Sequence, residues 1–430
     1  MILDYLKKEL EKEVDDFILI KQDLEMSNLK FVNNKIVKTG TEDSSQIGVF
    51  AVKDNKIIST DLKESDKKSA KELVKNISNF LKFTKQSGNY FGIAEGPFKY
   101  KKVPGLFDKK IKDIDEVDIV ESGINAALEN AKRASGTFMS ATGKSRIITS
   151  TKVDAEEESS SLYFSIRSLI SKESSNHKTL SSTMLKDFDV EKASRLSGEF
   201  AKLACCPKQG KSGKFDLVLA PLASSSIFGS LGDAASMFSV EAGLSFLTGK
   251  LNKKLGNFNM TDDGRLPNGI GSSSFDSEGV PTQRTEVIKD GILKTYLHNT
   301  STAKKYKVKT TSNAGLIAPD STNTILEGKT GNPFDIKKGI YITNTWYTRF
   351  QNYATGDFST IPRDGVFMIE NGELTQPIKN IRISENILNM LKNIQLFGKD
   401  KEQITSWDSS SPFISSDVLV KNINITRPTV

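Results

Sequence analysis

The chain has 430 residues, of which 37% are hydrophobic and 26% are charged. This is enough apolar material for a sizeable core, and it excludes low-complexity disorder, collagen and a disulfide-stapled miniprotein. With 60 basic and 53 acidic residues the net charge is +7, which permits nucleic-acid contact without requiring it.

The first 62 residues change from helical to strand character. Apolar residues recur at helical spacing from Leu3 to Phe17 and predict an amphipathic helix. Short β-type runs then extend from Phe17 to Leu62, and the pairs Asn33-Asn34 and Asp54-Asn55 separate them. This pattern predicts an antiparallel meander, because such pairs favour hairpin turns.

Three further helices are predicted before residue 207. Ser65 is the predicted N-cap of the first, and its apolar face comprises Ala70, Leu73, Val74, Ile77, Phe80 and Leu81. The second has its apolar stripe at Val117, Val120, Ile124, Leu128 and Ala131. Two strand-like segments that flank the acidic, Ser-rich stretch 154–161 come next. The last helix runs from about Val190 to Cys206, with its inward face at Leu196, Phe200 and Leu203.

The stretch PKQGKSG, residues 207–213, is the best domain boundary because proline and glycine interrupt a helix. The sequence therefore predicts two domains, 1–207 and 208–430. After the boundary, FDLVLAP predicts a buried strand and Pro221 begins a predicted helix over 222–238. The remainder predicts short strands and turns, with one late helix from Glu385 to Ile394. The predicted fold class is α+β: N-terminal helices on a mainly antiparallel sheet, then a β-rich C-terminal domain.

Neither a membrane span nor an exported protein is expected. The longest apolar runs fall far short of the roughly 20 residues that a transmembrane helix needs. The first residues mix acidic and basic side chains where a signal peptide would carry an apolar stretch, so we expect a cytoplasmic protein. The adjacent Cys205 and Cys206 cannot form a disulfide framework or a Cys-rich zinc module, and we expect both to be buried.

Histidine is the scarcest residue for chemistry, since the chain has only His177 and His298. Two histidines this far apart cannot form the paired motif of a zincin helix, although a scattered site that adds Asp or Glu remains open. A Ser-His-Asp arrangement would need one of the same two residues, and no GxSxG string follows a predicted strand. Each GKS or GKT string lacks the first glycine of a P-loop, whose place is taken by Phe138, Cys205 or Asn323. The residues alone therefore reveal no catalytic constellation.

Strings in both halves of the chain point to one family. The run Gly356 to Ser359 and the segment DGVFMIENGELTQPIKNIRISENILNMLKNI resemble the signature of the TldD/PmbA family, once called modulators of DNA gyrase. GVPTQRTEVIKDGILKTYLHNTSTAKKYKVKTTSNA and SQIGVFAVKDNKI are similar to other blocks of that family. The resemblance therefore extends over essentially the whole chain.

The two kinds of family member differ at one motif. TldD-type subunits carry HExxxH, with two zinc-binding histidines and a catalytic glutamate, whereas PmbA (TldE) types have lost it. The resemblance places Phe228 and Gly229 at the first His and the Glu, and Asp233 at the second His. The chain is therefore similar to a PmbA/TldE-type member, for which we predict no catalytic, metal-binding or cofactor-binding residue.

The resemblance implies a non-catalytic subunit of a cytoplasmic metallopeptidase that processes peptides and small unfolded proteins. Its implied partner is a TldD-type subunit that holds the zinc, with a homodimer as the form expected in the absence of that partner. Two alternatives stay open: a stand-alone peptidase that uses His298 as a base, and a DNA- or gyrase-associated binding protein. Because the lysine pairs are dispersed, nucleic acid is not an expected partner.

Overall fold

The N-terminal part of the structure is a layer of helices on one long antiparallel sheet. A computed structural model describes residues 2–63, 66–407, 409 and 411–427. Before residue 207 the elements are, in chain order, α1 (Ile2–Leu10), β1 (Asp16–Val32), β2 (Lys35–Lys53), β3 (Lys56–Leu62), α2 (Lys67–Phe83), α3 (Glu116–Leu128), β4 (Arg133–Thr149), β5 (Asp154–Ser171), β6 (Ser174–Ser182) and α4 (Val190–Leu203).

This first sheet has the strand order β3-β2-β1-β4-β5-β6, and every neighbouring pair is antiparallel. Side chains alternate between its two faces, as the pleat of a β-strand requires. Along β1, Phe17 and Phe31 pack beneath the helices, whereas Ile18 packs with Phe275 from the C-terminal part. The sheet is therefore covered by helices on one face and contacts the C-terminal part with the other.

The meander is confirmed, and both predicted turn pairs have positive φ. The first helix is shorter than predicted, because α1 ends at Leu10 and Phe17 already belongs to β1. Asp66 caps α2 by accepting hydrogen bonds from two backbone N–H groups. The predicted cap, Ser65, lies outside the described residues. The acidic stretch 154–161 is part of β5 rather than a connection between strands.

The C-terminal part is dominated by short strands. Its elements are β7 (Lys208–Gln209), β8 (Gly213–Leu219), α5 (Pro221–Phe228), α6 (Ser230–Ala235), α7 (Met237–Glu241), β9 (Phe258–Asp263), β10 (Arg284–Lys289), β11 (Ile292–Leu293), α8 (Thr300–Tyr306), β12 (Thr324–Gly328), β13 (Lys338–Asn352), β14 (Asp357–Glu370), β15 (Glu373–Lys379), β16 (Arg382–Asn386), α9 (Ile387–Lys392), β17 (Ile394–Phe397), β18 (Glu402–Ile404), β19 (Phe413–Ser415) and β20 (Val418–Thr426).

Five of these strands close into a barrel. The order β13-β8-β20-β16-β14 returns to its start because β13 also pairs with β14, and β15 and β7 extend the sheet beyond β14. A second open sheet has the order β11-β10-β9-β12-β19-β18. The largest apolar core joins α5 to both sheets and includes Leu219, Phe228, Phe258 and Phe413.

The α+β fold class is confirmed, as are the buried strand β8 and Pro221 at the start of a helix. The predicted helix over 222–238 is instead divided among α5, α6 and α7, and α8 was not predicted. The cysteines were also wrongly predicted, since Cys205 is only partly buried and Cys206 is exposed. The domain boundary at 207/208 stays a prediction. None of the helices within the described ranges combines the length and apolar character needed for a bilayer crossing.

Candidate functional site

The family resemblance aligns three residues with HExxxH, and all three lie at or near the junction of two short helices. Phe228 ends α5, Gly229 lies between the helices and Asp233 is part of α6. Strand β8 leads into Pro221, whose fixed φ suits the first turn of α5. All of α5 is buried, and Phe228 at its last position has no exposed surface. Phe228 packs in the largest core and offers no donor atom to a metal. This position therefore contributes to packing.

The other two positions fit a zinc ion no better. Gly229 lies between α5 and α6, and a Cβ there would meet the carbonyl oxygen of Ser225 and lie 3.1 Å from Cβ of Ser409. Only Asp233, on the exposed side of α6, supplies a possible ligand oxygen. Because a zinc site needs about three or four protein donors, the residues at these positions do not fit that ion.

A search over the residues that the structure describes finds no group of three or more His, Cys, Asp and Glu side chains placed to hold a metal ion. The α5–α6 junction is instead lined by serine. Ser409 lies against Gly229, and the hydroxyl groups of Ser411 and Ser321 are 2.9 Å apart beside α6. Because these hydroxyl groups form hydrogen bonds with each other, they have a structural role at the α5–α6 junction.

His177 forms a chain of hydrogen bonds that resembles a catalytic triad in composition only. Its Nε2 lies 2.9 Å from Ser165 Oγ, and its Nδ1 lies 3.2 Å from Asn344 Nδ2. The same Nδ2 donates to the Asp364 carboxylate at 3.3 Å, which fixes the orientation of the amide. Nδ1 therefore accepts and Nε2 carries the proton. In this tautomer His177 donates to Ser165 and cannot act as its base.

His298 is also poorly suited to proton transfer. Only 3% of its surface is exposed, and Nδ1 lies 3.2 Å from Thr302 Oγ1. Burial lowers the pKa of His298 to about 4. A general base works best when its pKa is near the working pH, and this ring is both too weakly basic and too enclosed. His177 and His298 have no hydrogen-bond partner in common among the described residues.

Two buried carboxyl groups lie beside a cavity of about 330 Å³ between the first sheet and the C-terminal part. Asp276 accepts hydrogen bonds from the backbone N–H groups of Glu278, Val280 and Ala314. Glu278 lines the cavity and accepts from the backbone N–H of Thr300 at 3.2 Å. Burial raises the pKa of both groups, and the charge of Asp276 raises that of Glu278 further. The pair therefore retains protons at a pH where exposed carboxyl groups are ionised.

The raised pKa values predict a protein that loses stability as the pH rises. Exposed carboxyl groups ionise near pH 4, whereas burial also raises the pKa of Asp262 to about 6. Between about pH 4 and pH 8 these buried carboxyl groups bind more protons in the folded state than in the unfolded state, so their contribution to the free energy of unfolding falls as the pH rises. We expect Glu278→Gln to reduce the fall in the free energy of unfolding between pH 5 and pH 8, as measured by denaturant unfolding.

Glu95→Gln is the control for this prediction, because the Glu95 side chain is 80% exposed. Equal slopes for wild type and Glu278→Gln would contradict the assignment.

Two side-chain groups that are candidates for function were not predicted from the sequence. One is the Asp276 and Glu278 pair, which no sequence pattern marks because the raised pKa values depend on burial by distant segments. The other surrounds the two tryptophans of the chain, Trp346 and Trp407, whose rings lie 6.3 Å apart. Because the chain has only two tryptophans, the sequence could have marked both as candidate binding residues. It could not predict that they are neighbours in the fold, since they are 61 residues apart in sequence.

Comparison with known sequences gives consistent matches. A sequence model described as the PmbA/TldA metallopeptidase C-terminal domain matches residues 212–427. An uncharacterized protein of Methanocaldococcus jannaschii is 30% identical over 358 residues, which cover 80% of this chain and 82% of that protein. Metalloprotease PmbA of Escherichia coli O157:H7 is 31% identical over 203 residues, or 46% of this chain and 43% of the relative.

Comparison with solved structures agrees at the level of the fold. TldE from Thermococcus kodakarensis superimposes with a TM-score of 0.88 and covers 99% of this chain and 100% of its own. The sequence identity is 19%, so this likeness establishes a shared fold and nothing about the site.

Proposed function

The chain belongs to the PmbA/TldD family of metallopeptidases, and from this membership we propose that it is a non-catalytic subunit of a peptidase assembly. In this proposal a homologous TldD-type subunit holds the zinc, and the two chains together enclose a peptide or a small unfolded protein in the cytoplasm. In the absence of that partner the chain would form a homodimer.

One observation supports the proposal: at the three positions that the family resemblance aligns with HExxxH, the side chains present do not fit a zinc site. Phe228 is fully buried in the core, and Gly229 has no space for a glutamate against Ser225 and Ser409. A catalytic zinc site needs several fixed ligands and an open position for water. The chemistry of the assembly would therefore reside in the partner, and this chain would contribute walls and contacts to the substrate.

The proposal is tested by reconstitution. We expect the purified chain to contain no stoichiometric zinc by elemental analysis and to leave an unfolded casein substrate intact. Addition of a TldD-type homologue should give hydrolysis that neither chain performs alone at the same concentration. The control is that homologue with the motif glutamate replaced by glutamine, which should bind this chain without restoring activity. Stoichiometric zinc in the isolated chain, or hydrolysis by it alone, would overturn the proposal.

The two alternative functions have weaker support. A stand-alone peptidase with His298 as its base would rely on a nearly inaccessible ring whose pKa is about 4. A DNA-associated role would require salt-dependent binding, which a mobility shift assay at several salt concentrations measures directly. Absence of a shift at about 50 mM salt would remove that role, because low salt favours charge-driven contact.

A further inference from the structure

A positively charged cavity lies beside both tryptophans. It has a volume of about 370 Å³ and is lined by four cations, namely Arg167, Lys172, Arg363 and Lys379. Two carboxylates of the described residues line it: Asp364, which pairs with Arg167, and Glu173, which pairs with Lys379. Among the described residues, Arg363 and Lys172 form no ion pair and both are exposed. We call this feature the arginine cavity, and its described lining residues carry an excess of two positive charges.

Aromatic rings hold the guanidinium groups at the rim of the arginine cavity. The guanidinium carbons of Arg363 and Arg167 lie 4.9 and 5.3 Å from the ring centre of Trp346. Arg349 lies 5.8 Å from the ring of Tyr347 and 5.9 Å from that of Trp407. A guanidinium group that lies over an aromatic ring keeps its N–H groups available around its edge. For Arg363, which lines the cavity, the arrangement therefore fixes donors in advance of any ligand.

The backbone at this rim is strained in a way typical of binding sites. Tyr347 has a φ of 57°, which is rare for a bulky non-glycine residue. It lies where the register of β13 against β14 shifts between Trp346 and Arg349. Such bulges turn a side chain out of the sheet, and 51% of the Tyr347 surface is exposed. Backbone strain of this kind is concentrated at binding and catalytic sites, so the outward ring of Tyr347 is a candidate ligand contact.

We propose that the arginine cavity binds an acidic segment of an extended polypeptide, with carboxylate groups paired to Arg363 and Lys172. The excess positive charge and the preset guanidinium groups suit carboxylates, which accept bidentate hydrogen bonds from arginine. A concave volume of about 370 Å³ fits a few peptide residues, whereas a stable subunit interface needs a surface of about 800 Å² on each side. Nucleic acid fits less well, because guanidinium groups already lie over all three rings that a base would need for stacking.

The position of the arginine cavity relates it to the proposed function. Trp407 is two residues from Ser409, which packs against Gly229 at the α5–α6 junction. Tyr347, Trp407 and Ser409 therefore connect the cavity to the α5–α6 junction, which the family resemblance aligns with the zinc motif of TldD-type subunits. The inference rests on the proposed function for its biological meaning, since it names acidic polypeptides as the preferred substrates of the assembly. The binding step itself can be measured on the isolated chain.

The test uses intrinsic tryptophan fluorescence, because the chain has only two tryptophans and both lie against residues that line the arginine cavity. The Trp346 ring contacts Arg167 and Arg363, and the Trp407 ring lies 6.0 Å from that of Tyr347. The probes are a capped oligoglutamate peptide, an oligolysine peptide of equal length and a single-stranded DNA oligonucleotide of equal charge. We expect saturable fluorescence change with oligoglutamate, weakened by added salt, and no saturable change with oligolysine. Arg363→Gln should weaken binding about tenfold, because it removes charge-assisted hydrogen bonds. Arg363→Lys should recover part of the loss, since it keeps the charge without the planar fork.

The matched control is Arg133→Gln, which removes an exposed arginine at the start of β4, outside the arginine cavity. It should bind oligoglutamate as wild type does. The proposal is overturned by an absent response to oligoglutamate, by equal losses in Arg363→Gln and Arg133→Gln, or by tighter binding of the DNA. None of these measurements includes the partner subunit. Failure of the cavity proposal is therefore distinguishable from failure of reconstitution, which measures zinc and hydrolysis.

Discussion

Replacement of Phe228 by alanine is expected to lower the free energy of unfolding by about 3–5 kcal/mol, as is usual for a large aromatic side chain removed from a core. Phe228 is the last residue of α5, has no exposed surface and packs in the core that α5 shares with the two C-terminal sheets. The loss of stability has two parts. One is the lost free energy of burying the ring, and the other is the cost of the cavity that remains because the neighbouring side chains relax only partly. Chemical denaturation followed by circular dichroism measures it.

The control for this prediction is Phe83→Ala. Phe83 ends α2 and is 87% exposed, so its truncation should change stability by less than about 0.5 kcal/mol. A similarly small effect for Phe228→Ala would mean that the ring is not a core residue. Phe228→His should also destabilise the protein, because it buries an imidazole in an apolar site without a partner. A stable Phe228→His variant that binds zinc would contradict the role in packing assigned to this position.

Turn chemistry made the N-terminal sheet predictable from sequence. The hairpins at Asn33-Asn34 and Asp54-Asn55 need positive φ at their central residues, and Asn and Asp tolerate it. This requirement is local, so four residues are enough to reveal it. The apolar alternation of the strands then sets the register, because a slip by one residue would exchange the two faces.

Helix faces were less predictable where helices pack closely. The sequence suggested Leu196, Phe200 and Leu203 as the inward face of α4, but Leu203 is 56% exposed. The buried face of α4 comprises small residues, including Ser197 and Gly198. A Cβ at Gly198 would lie 2.5 Å from the carbonyl oxygen of Ala127 on α3. Close backbone approach therefore selects small side chains, and hydrophobic periodicity does not report it.

The division of the predicted helix over 222–238 has a similar cause. All eight residues of α5 are buried, so the segment has no polar face whose period could mark its ends. Gly229 separates α5 from α6, and Ser236 adopts an extended conformation before α7. The sequence resemblance predicts which residues occupy the motif positions, and this alignment stays a prediction. The sequence could not show that Phe228 is fully buried or that a Cβ at Gly229 would meet Ser225.

One buried carboxylate accepts several of the bonds that join the first sheet to the barrel, and Asp364→Ala is expected to lower the free energy of unfolding by about 3–5 kcal/mol. Asp364 accepts hydrogen bonds from Ser175 Oγ at 2.7 Å and Asn344 Nδ2 at 3.3 Å, and it pairs with Arg167 at 2.5 Å. Ser175 and Arg167 lie on β6 and β5, whereas Asn344 and Asp364 lie on β13 and β14. Loss of the carboxylate would leave donors from three strands without their shared acceptor.

The variant Asp364→Asn separates the charge from the backbone requirement at this position. Asp364 has a φ of 58°, which asparagine tolerates and alanine does not. Asparagine keeps the acceptor oxygen that Ser175 and Arg167 share, but without its negative charge, and its amide N–H groups would face the donor of Asn344. Urea denaturation should therefore place Asp364→Asn between wild type and Asp364→Ala in stability. If Asp364→Asn were as stable as wild type, the charge would not matter and backbone strain alone would account for the alanine variant. If both variants matched wild type, the carboxylate would not hold the two sheets together.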